Sequence, residues 1–219
     1  MIELEFADNP EPRCPVVLLL DTSSSMSGAP ITQLNAGVAT FQQEVQRDPT
    51  ASLRVEVAII AFSSDAQLVQ DFVTLDQFNP PQLQANGLTA MGQAIELALD
   101  QVERRKTEYK NNSIQYYQPW IFLITDGEPN DSWQNAAQRV RQADADRKVS
   151  FFAIGVQGAN INTLRQIAPA NTPPLMLDGL KFTDLFRWLS DSMKRVSSSK
   201  VGSGQLSLPP VSGWAQVNT

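Results

Sequence analysis

Two apolar runs of strand length, Val16–Leu20 and Trp120–Thr125, each lead into an aspartate, Asp21 and Asp126. A run apolar on both faces suits a central strand of a parallel sheet, where neither face meets water. Parallel neighbours need long crossovers, usually helical. Helical spacing does follow the first run, with Ile31, Leu34, Val38, Phe41 and Val45 three or four residues apart. Asp48–Pro49 ends that helix, because the residue before a proline is pushed out of the helical region. Leu53–Phe62 reads as a second strand, rich in β-branched residues. Ala66–Phe72 reads as a third, and the short Ser63–Asp65 turn between them implies an antiparallel pair.

Further along, Ile95, Leu99 and Val102 mark the inner face of a helix whose tail, Glu103–Lys110, reads as a solvated charge run. Trp133, Ala137 and Val140 give another amphipathic helix, and Val149–Val156 a buried strand. Residues 162–168 suit a short helix and Pro174–Leu177 a short strand. Phe182, Leu185, Phe186, Leu189, Met193 and Val196 form a strongly amphipathic last helix. At the start, alternating Ile2, Leu4 and Phe6 fit a short edge strand. From Ser197 the composition turns to Ser, Gly and Lys, yet Leu206, Leu208, Val211 and Trp214 could dock on the domain or on a partner. The expected architecture is α/β and doubly wound. It has a mostly parallel central sheet with one antiparallel edge strand, and helices on both faces. Residues 1–13 form a lead-in, 14–196 the domain and 197–219 a tail.

Composition narrows the function. A net charge of −6 argues against nucleic-acid binding, which needs a basic face. No apolar run reaches the length of a membrane-spanning helix. Met1–Phe6 has neither the basic start nor the apolar core of a signal peptide, so a cytoplasmic location is expected. The chain contains no histidine and one cysteine, Cys14. Imidazole bases, histidine ligands, multi-cysteine zinc sites and intrachain disulfides are therefore excluded. Chemistry must come from carboxylates, hydroxyls, amines or a metal ion.

Asp21, Ser23 and Ser25 follow one another as D-x-S-x-S. In an extended or loosely turning segment such residues project to one side. They offer oxygen donors to a hard divalent cation. Alone, the pattern equally describes a polar loop whose side chains satisfy backbone N–H groups. Location adds weight. In open α/β sheets ligands bind beyond the carboxyl ends of the strands, where the chain reverses direction across the sheet. If the strands ending at Asp21 and Asp126 flank that reversal, both carboxylates face one crevice. Thr89 then completes its rim. Met26, Met91, Glu128, Asn130 and Trp133 lie on the same loops and are candidates for a partner-binding rim. Local packing is the blander reading for the methionines, and Trp133 is a candidate anchor. Glu128 and Asp131 would tune the rim's charge.

The joint set Asp21, Ser23, Ser25, Thr89 and Asp126 resembles the metal-ion-dependent adhesion site (MIDAS) of von Willebrand factor A (VWA) domains. The resemblance spans roughly residues 14–196. The segments 9–15, 20–28 and 119–127 are similar to bacterial tellurium-resistance-associated, TerY-type VWA proteins. Those often have glycine where Ser24 stands. The resemblance implies Mg²⁺ as ligand, with Mn²⁺ or Ca²⁺ as alternatives. Ser23 and Ser25 would ligate directly and Thr89 directly or through water, while Asp21 and Asp126 would act largely through waters. It implies a protein partner that supplies a carboxylate, kinase or phosphatase-like proteins of a bacterial stress system among them. No catalysis is expected, and the charge and the apolar run lengths leave no nucleic-acid or membrane partner expected. The alternative is a Mg²⁺-dependent phosphoryl-transfer or phosphate-ester-hydrolysing enzyme.

Overall fold

The computed structural model describes residues 4–202 and 207–217. Strand β1 (Cys14–Asp21) is buried along its whole length. It pairs in parallel with β2 (Val55–Phe62) on one side and β4 (Trp120–Thr125) on the other. Among the described residues the sheet has seven strands in the order β3-β2-β1-β4-β5-β6-β7, with β3 at Ala66–Thr74, β5 at Ser150–Gly155, β6 at Leu175–Leu177 and β7 at Ala215–Val217. From β1 the chain runs outward through β2 and β3, then returns through a helix to place β4 against the free side of β1. The reversal therefore falls between the strands that end at Asp21 and lead into Asp126. This is the arrangement the two apolar runs imply.

Alternation along β1 divides the core. Val16, Leu18 and Leu20 face a layer made by α2 (Ala29–Gln46), α3 (Pro49–Arg54) and α7 (Phe182–Ser198). Val17 and Leu19 face α4 (Met91–Asn111), α5 (Gln134–Ala145) and α6 (Ile161–Ile167). Both faces of the sheet are thereby covered, as parallel strands require.

Four expectations are corrected. The start of the chain is a helix, α1 (Leu4–Asp8), rather than an edge strand. Tertiary contact holds it: Phe6 is buried edge-on against Tyr109. Ile2 lies outside the described residues. Asp48–Pro49 ends α2 but also begins α3, because the Asp48 carboxylate accepts from the N–H groups of Thr50 and Ala51. Strand β2 accordingly begins at Val55 and not at Leu53.

The stretch Glu103–Lys110 is not a solvated end. Arg105, Lys106 and Tyr109 are buried, and Arg105 and Tyr109 converge on Glu56 in β2. Finally, the sheet has two antiparallel edge strands. Besides β3, the tail supplies β7, which pairs with β6. Trp214 is buried, Leu208 and Val211 pack on the core, and the Trp188 indole N–H donates to the Pro209 carbonyl at 2.8 Å. Leu206 lies outside the described residues. No helix among the described residues is long and apolar enough to cross a membrane.

Candidate metal centre

Three loops meet above the carboxyl ends of β1 and β4. The first opens with Ser23 in extended backbone, followed by one 3-10 turn over Ser24–Met26. That turn sends Met26 inward to full burial and leaves Ser25 at the surface. The Ser23 and Ser25 hydroxyls lie 2.9 Å apart. Ser25 donates to Asp126 Oδ1 at 2.7 Å, across 101 residues of chain. Asp21 Oδ1 accepts from the Ser23 amide at 2.8 Å, and its Oδ2 accepts from the Thr125 hydroxyl.

Thr89 arrives from the second loop. A methyl placed on Gly127 would sit 3.3 Å from Thr89 Oγ1 and 3.8 Å from Asp21 Oδ2. The threonine hydroxyl and the aspartate carboxylate therefore border the same point of the third loop, and a side chain at position 127 would intrude between them.

The loops are stitched to one another by backbone bonds. Ser24 N–H donates to Gly87 O at 3.1 Å, and Asn86 N–H to Thr22 O at 2.8 Å. Between the second and third loops the tie is reciprocal. Thr89 N–H donates to Asn130 Oδ1, and Asn130 N–H donates to Thr89 O, each at 2.9 Å. Asp131 then accepts from the amides of Gly92 and Gln93 at 3.0 and 2.9 Å, capping α4 from across the crevice. A carboxylate at a helix N-terminus is favoured by the exposed N–H groups and the helix dipole. Gly92 makes the approach possible, since a Cβ there would stand 2.5 Å from the Ser132 carbonyl oxygen.

All five expected ligand residues thus gather in one crevice, with Asp21, Ser23, Thr89 and Asp126 buried and Ser25 at its mouth. The rim residues separate. Met26 and Met91 are fully buried and belong to the two cores, so neither can form part of a surface rim. Asn130 is a latch on Thr89. Glu128 is exposed and bonds the Asn160 side chain on the loop before α6. Trp133 is half-buried at the start of α5.

Three participants carried weak sequence signals. Thr125 holds Asp21, and Asn130 and Asp131 hold the second loop. Their positions directly before and a few residues after Asp126 were the available hint. Leu88, beside Thr89, is 60% exposed, while its amide is held by the Ser64 hydroxyl at 3.2 Å.

Electrostatically, two carboxylates share this crevice, and their hydrogen-bond partners are hydroxyls and amides. Burial pushes the Asp21 carboxyl above its ordinary value; hydrogen bonds from Ser23 and Thr125 oppose this, and the Asp126 charge adds to it. Among the described residues there is no cluster of three or more His, Cys, Asp or Glu side chains suited to a metal. Any metal here would have to be held largely by hydroxyls. The donor set fits that demand. The Ser23 and Ser25 hydroxyls, hydrogen-bonded to each other at 2.9 Å, and the Thr89 and carboxylate oxygens beside them are hard donors of the kind that divalent cations such as Mg²⁺ take.

The chain is an α/β domain with a polar crevice where the sheet reverses. The chain belongs to the von Willebrand factor type A domain family, whose model matches residues 16–185. A segment of mouse collagen alpha-5(VI) chain is 28% identical over 161 residues, covering 70% of this chain but 6% of the collagen. A von Willebrand factor type A structure from Catenulispora acidiphila superposes with a TM-score of 0.61 at 19% identity, covering 83% of this chain and 43% of that one. Proximal thread matrix protein 1 from the mussel byssus, described with a zinc-occupied MIDAS motif, has a TM-score of 0.56 at 18% identity and coverages of 83% and 48%. The chain therefore spans less than half the length of each of these relatives.

The latch gives a direct prediction. Asn130→Ala removes the acceptor for the buried Thr89 amide, and an unmet buried donor costs about 1–3 kcal/mol. The variant is expected to fold, to melt a few degrees lower, and to bind Mg²⁺ roughly tenfold or more weakly in calorimetry. Unchanged metal affinity would show that Thr89 needs no such anchor.

Proposed function

We propose that this chain is a divalent-metal-dependent protein-interaction module, with Asp21, Ser23, Ser25, Thr89 and Asp126 as its metal-holding residues. The observation that carries the reading is the convergence of hydroxyl and carboxylate oxygens from three loops, with Ser25 bonded both to Ser23 and to Asp126. Mg²⁺ is the favoured ion on donor chemistry, with Mn²⁺ or Ca²⁺ as alternatives. The zinc-occupied motif named for the mussel protein supports a metal at the matching place.

A cation held mainly by neutral hydroxyls keeps most of its charge, and so supplies an attraction for a carboxylate from outside. The chain's residues set up that demand. Ser23 and Ser25 present neutral oxygens, and Asp21 and Asp126 are themselves engaged by Ser23, Thr125 and Ser25. The partner is accordingly a protein bearing an accessible Asp or Glu. The resemblance of segments 9–15, 20–28 and 119–127 to TerY-type proteins points to a bacterial stress or tellurium-resistance system, with kinase or phosphatase-like partners.

Binding is favoured over catalysis by what the loops lack. Phosphoryl transfer calls for cationic groups on the phosphoryl oxygens, and residues 21–28, 86–92 and 125–133 contain no lysine or arginine. The test is capture of a partner from native lysate in Mg²⁺, repeated in EDTA and with Thr89→Ala. The partner is expected to be retained only by the wild-type chain in Mg²⁺. Equal retention in all three would overturn the reading.

A further inference from the structure

A shallow groove runs between α5 and α6 and begins where the third metal-site loop ends. Trp133, Ala137 and Arg141 line one wall at four-residue intervals, which places them along one face of α5. Arg165 and Gln166 of α6 form the other wall, and the volume enclosed is about 260 Å³. Its lining holds two guanidinium groups and no carboxylate, on a chain with a net charge of −6.

Both arginines are exposed, and both are tethered to α6. Arg141 donates to the Gln166 carbonyl, and Arg165 donates to Asn162 Oδ1 at 3.4 Å. Trp133 is half-buried, packs against the helix layer and is one of the residues that line the groove. The same residue is backed by Gly92 of α4, whose Cβ position would lie 2.9 Å from Trp133 Cα. The groove is thus built onto the loop that carries Asp126.

We infer that this groove is a second anion subsite of the same interaction surface. Its occupant is an acidic segment of the protein partner, lying along α5. The inference rests on the proposed metal-dependent reading. One carboxylate of the segment reaches the metal-holding crevice, an apolar side chain covers Trp133, and a second carboxylate pairs with Arg141 and Arg165. Charge complementarity argues for this occupant. A guanidinium matches a carboxylate through two parallel N–H···O bonds, and the groove offers two such groups. An indole beside them accepts apolar contact at little entropic cost. The arginines supply what the metal crevice cannot, because its loops carry no basic side chain. A partner with a lone carboxylate would use the crevice alone; a partner with two would engage both subsites and be selected over it.

The test uses random dodecapeptides displayed on phage, selected on the full chain in Mg²⁺ and eluted with EDTA. Such a peptide spans about 40 Å when extended, against about 18 Å for the twelve residues of α5. The wild-type chain is expected to select peptides with two acidic residues flanking an apolar one. The Arg141→Gln/Arg165→Gln variant is expected to select a single acidic residue, and to bind wild-type-selected peptides about tenfold more weakly. Arg141→Glu/Arg165→Glu should select a basic residue at the second position, an outcome that a purely structural role for the arginines would not produce. Identical selections by the wild-type chain and the glutamine variant, with EDTA elution retained, would overturn the groove and leave the metal reading standing. Absence of any EDTA-eluted peptide from the wild-type chain would overturn both.

Discussion

Glu56→Gln is expected to lower the melting temperature by roughly 6–20 °C while leaving metal affinity of the folded chain unchanged. Glu56 and Arg13 are both fully buried, and Arg105 nearly so. Glu56 accepts from Arg13 Nε at 2.7 Å, from Arg105 Nε and Nη2 at 3.0 and 2.8 Å, and from the Tyr109 hydroxyl. Burial works against the Arg105 charge, but the bonds and charge of Glu56, with Glu5 adding, hold that guanidinium well above its ordinary value. Burial and the Glu56 charge push the Tyr109 phenol up.

Replacing Glu56 with an amide keeps the shape but leaves the buried Arg13 guanidinium with no carboxylate among the described residues, while Arg105 keeps Glu5 and Glu108. Breaking a buried ion pair in this way costs about 3–5 kcal/mol, and each kcal/mol moves the melting point by about 2–4 °C in a domain of this size. A native domain is stable by only about 5–15 kcal/mol, so the loss is a large share of the total. Glu56 pairs in register with Pro15, at the end of the sheet away from Asp21. From Pro15 to Asp21 the strand advances six residues, about 20 Å at about 3.3 Å each, which is why metal binding should be spared. Thermal unfolding and Mg²⁺ calorimetry on the same variant check both halves. A drop under 2 °C would mean that water reaches the cluster.

This cluster was the part of the fold least legible in the chain. A single glutamate inside Val55-Glu56-Val57 gives no hint of three partners that lie 43, 49 and 53 residues away. Its helix side was readable. Ile95, Leu99 and Val102 continue at the same spacing through Lys106 and Tyr109, so the inner face of α4 runs straight through the charged stretch. Charge concealed the period, and the long stems of Arg and Lys can lie along apolar surface.

Helix α1 and strand β7 were hidden for a different reason. Each is too short to be specified locally. One depends on Phe6 beneath Tyr109, and the other on Trp214 against Trp188. The candidate metal centre was the opposite case. Asp21 and Asp126 follow apolar runs that suit central strands, and in a doubly wound sheet such ends can lie side by side, as β1 and β4 do. The latch from Asn130 to Thr89 was not readable, because it pairs two loops that share no periodicity.

Asp21→Asn is the second large effect, and its two parts run in opposite directions. Without divalent cations, the variant is expected to melt at or above the wild-type temperature. Asp21 and Asp126 crowd two carboxylates into one crevice, and the Asp21 carboxyl is raised by burial above its ordinary value. A carboxyl raised on folding contributes stability that is present below its unfolded pKa and lost as pH rises through the folded one. At neutral pH the ionised group is therefore a cost, which the amide removes. An amide can still accept from the Ser23 N–H and face the Thr125 hydroxyl.

In Mg²⁺ the order reverses. A ligand present at one hundred times its dissociation constant stabilises the folded state by about 2.7 kcal/mol, or roughly 5–11 °C for a domain of this size. The wild-type chain should gain that increment and Asp21→Asn should gain none. Paired melts in EDTA and in Mg²⁺ decide it. A variant that is destabilised in EDTA yet still rises with Mg²⁺ would contradict the assignment of Asp21.

Titration calorimetry of Mg²⁺ into the full wild-type chain, alongside Thr89→Ala, tests the central claim most directly. Uptake of one ion per chain by the wild type, lost or severely weakened in the variant, is the result expected of three loops acting together as one oxygen cage. No uptake by the wild-type chain, or equal uptake by both, would contradict it.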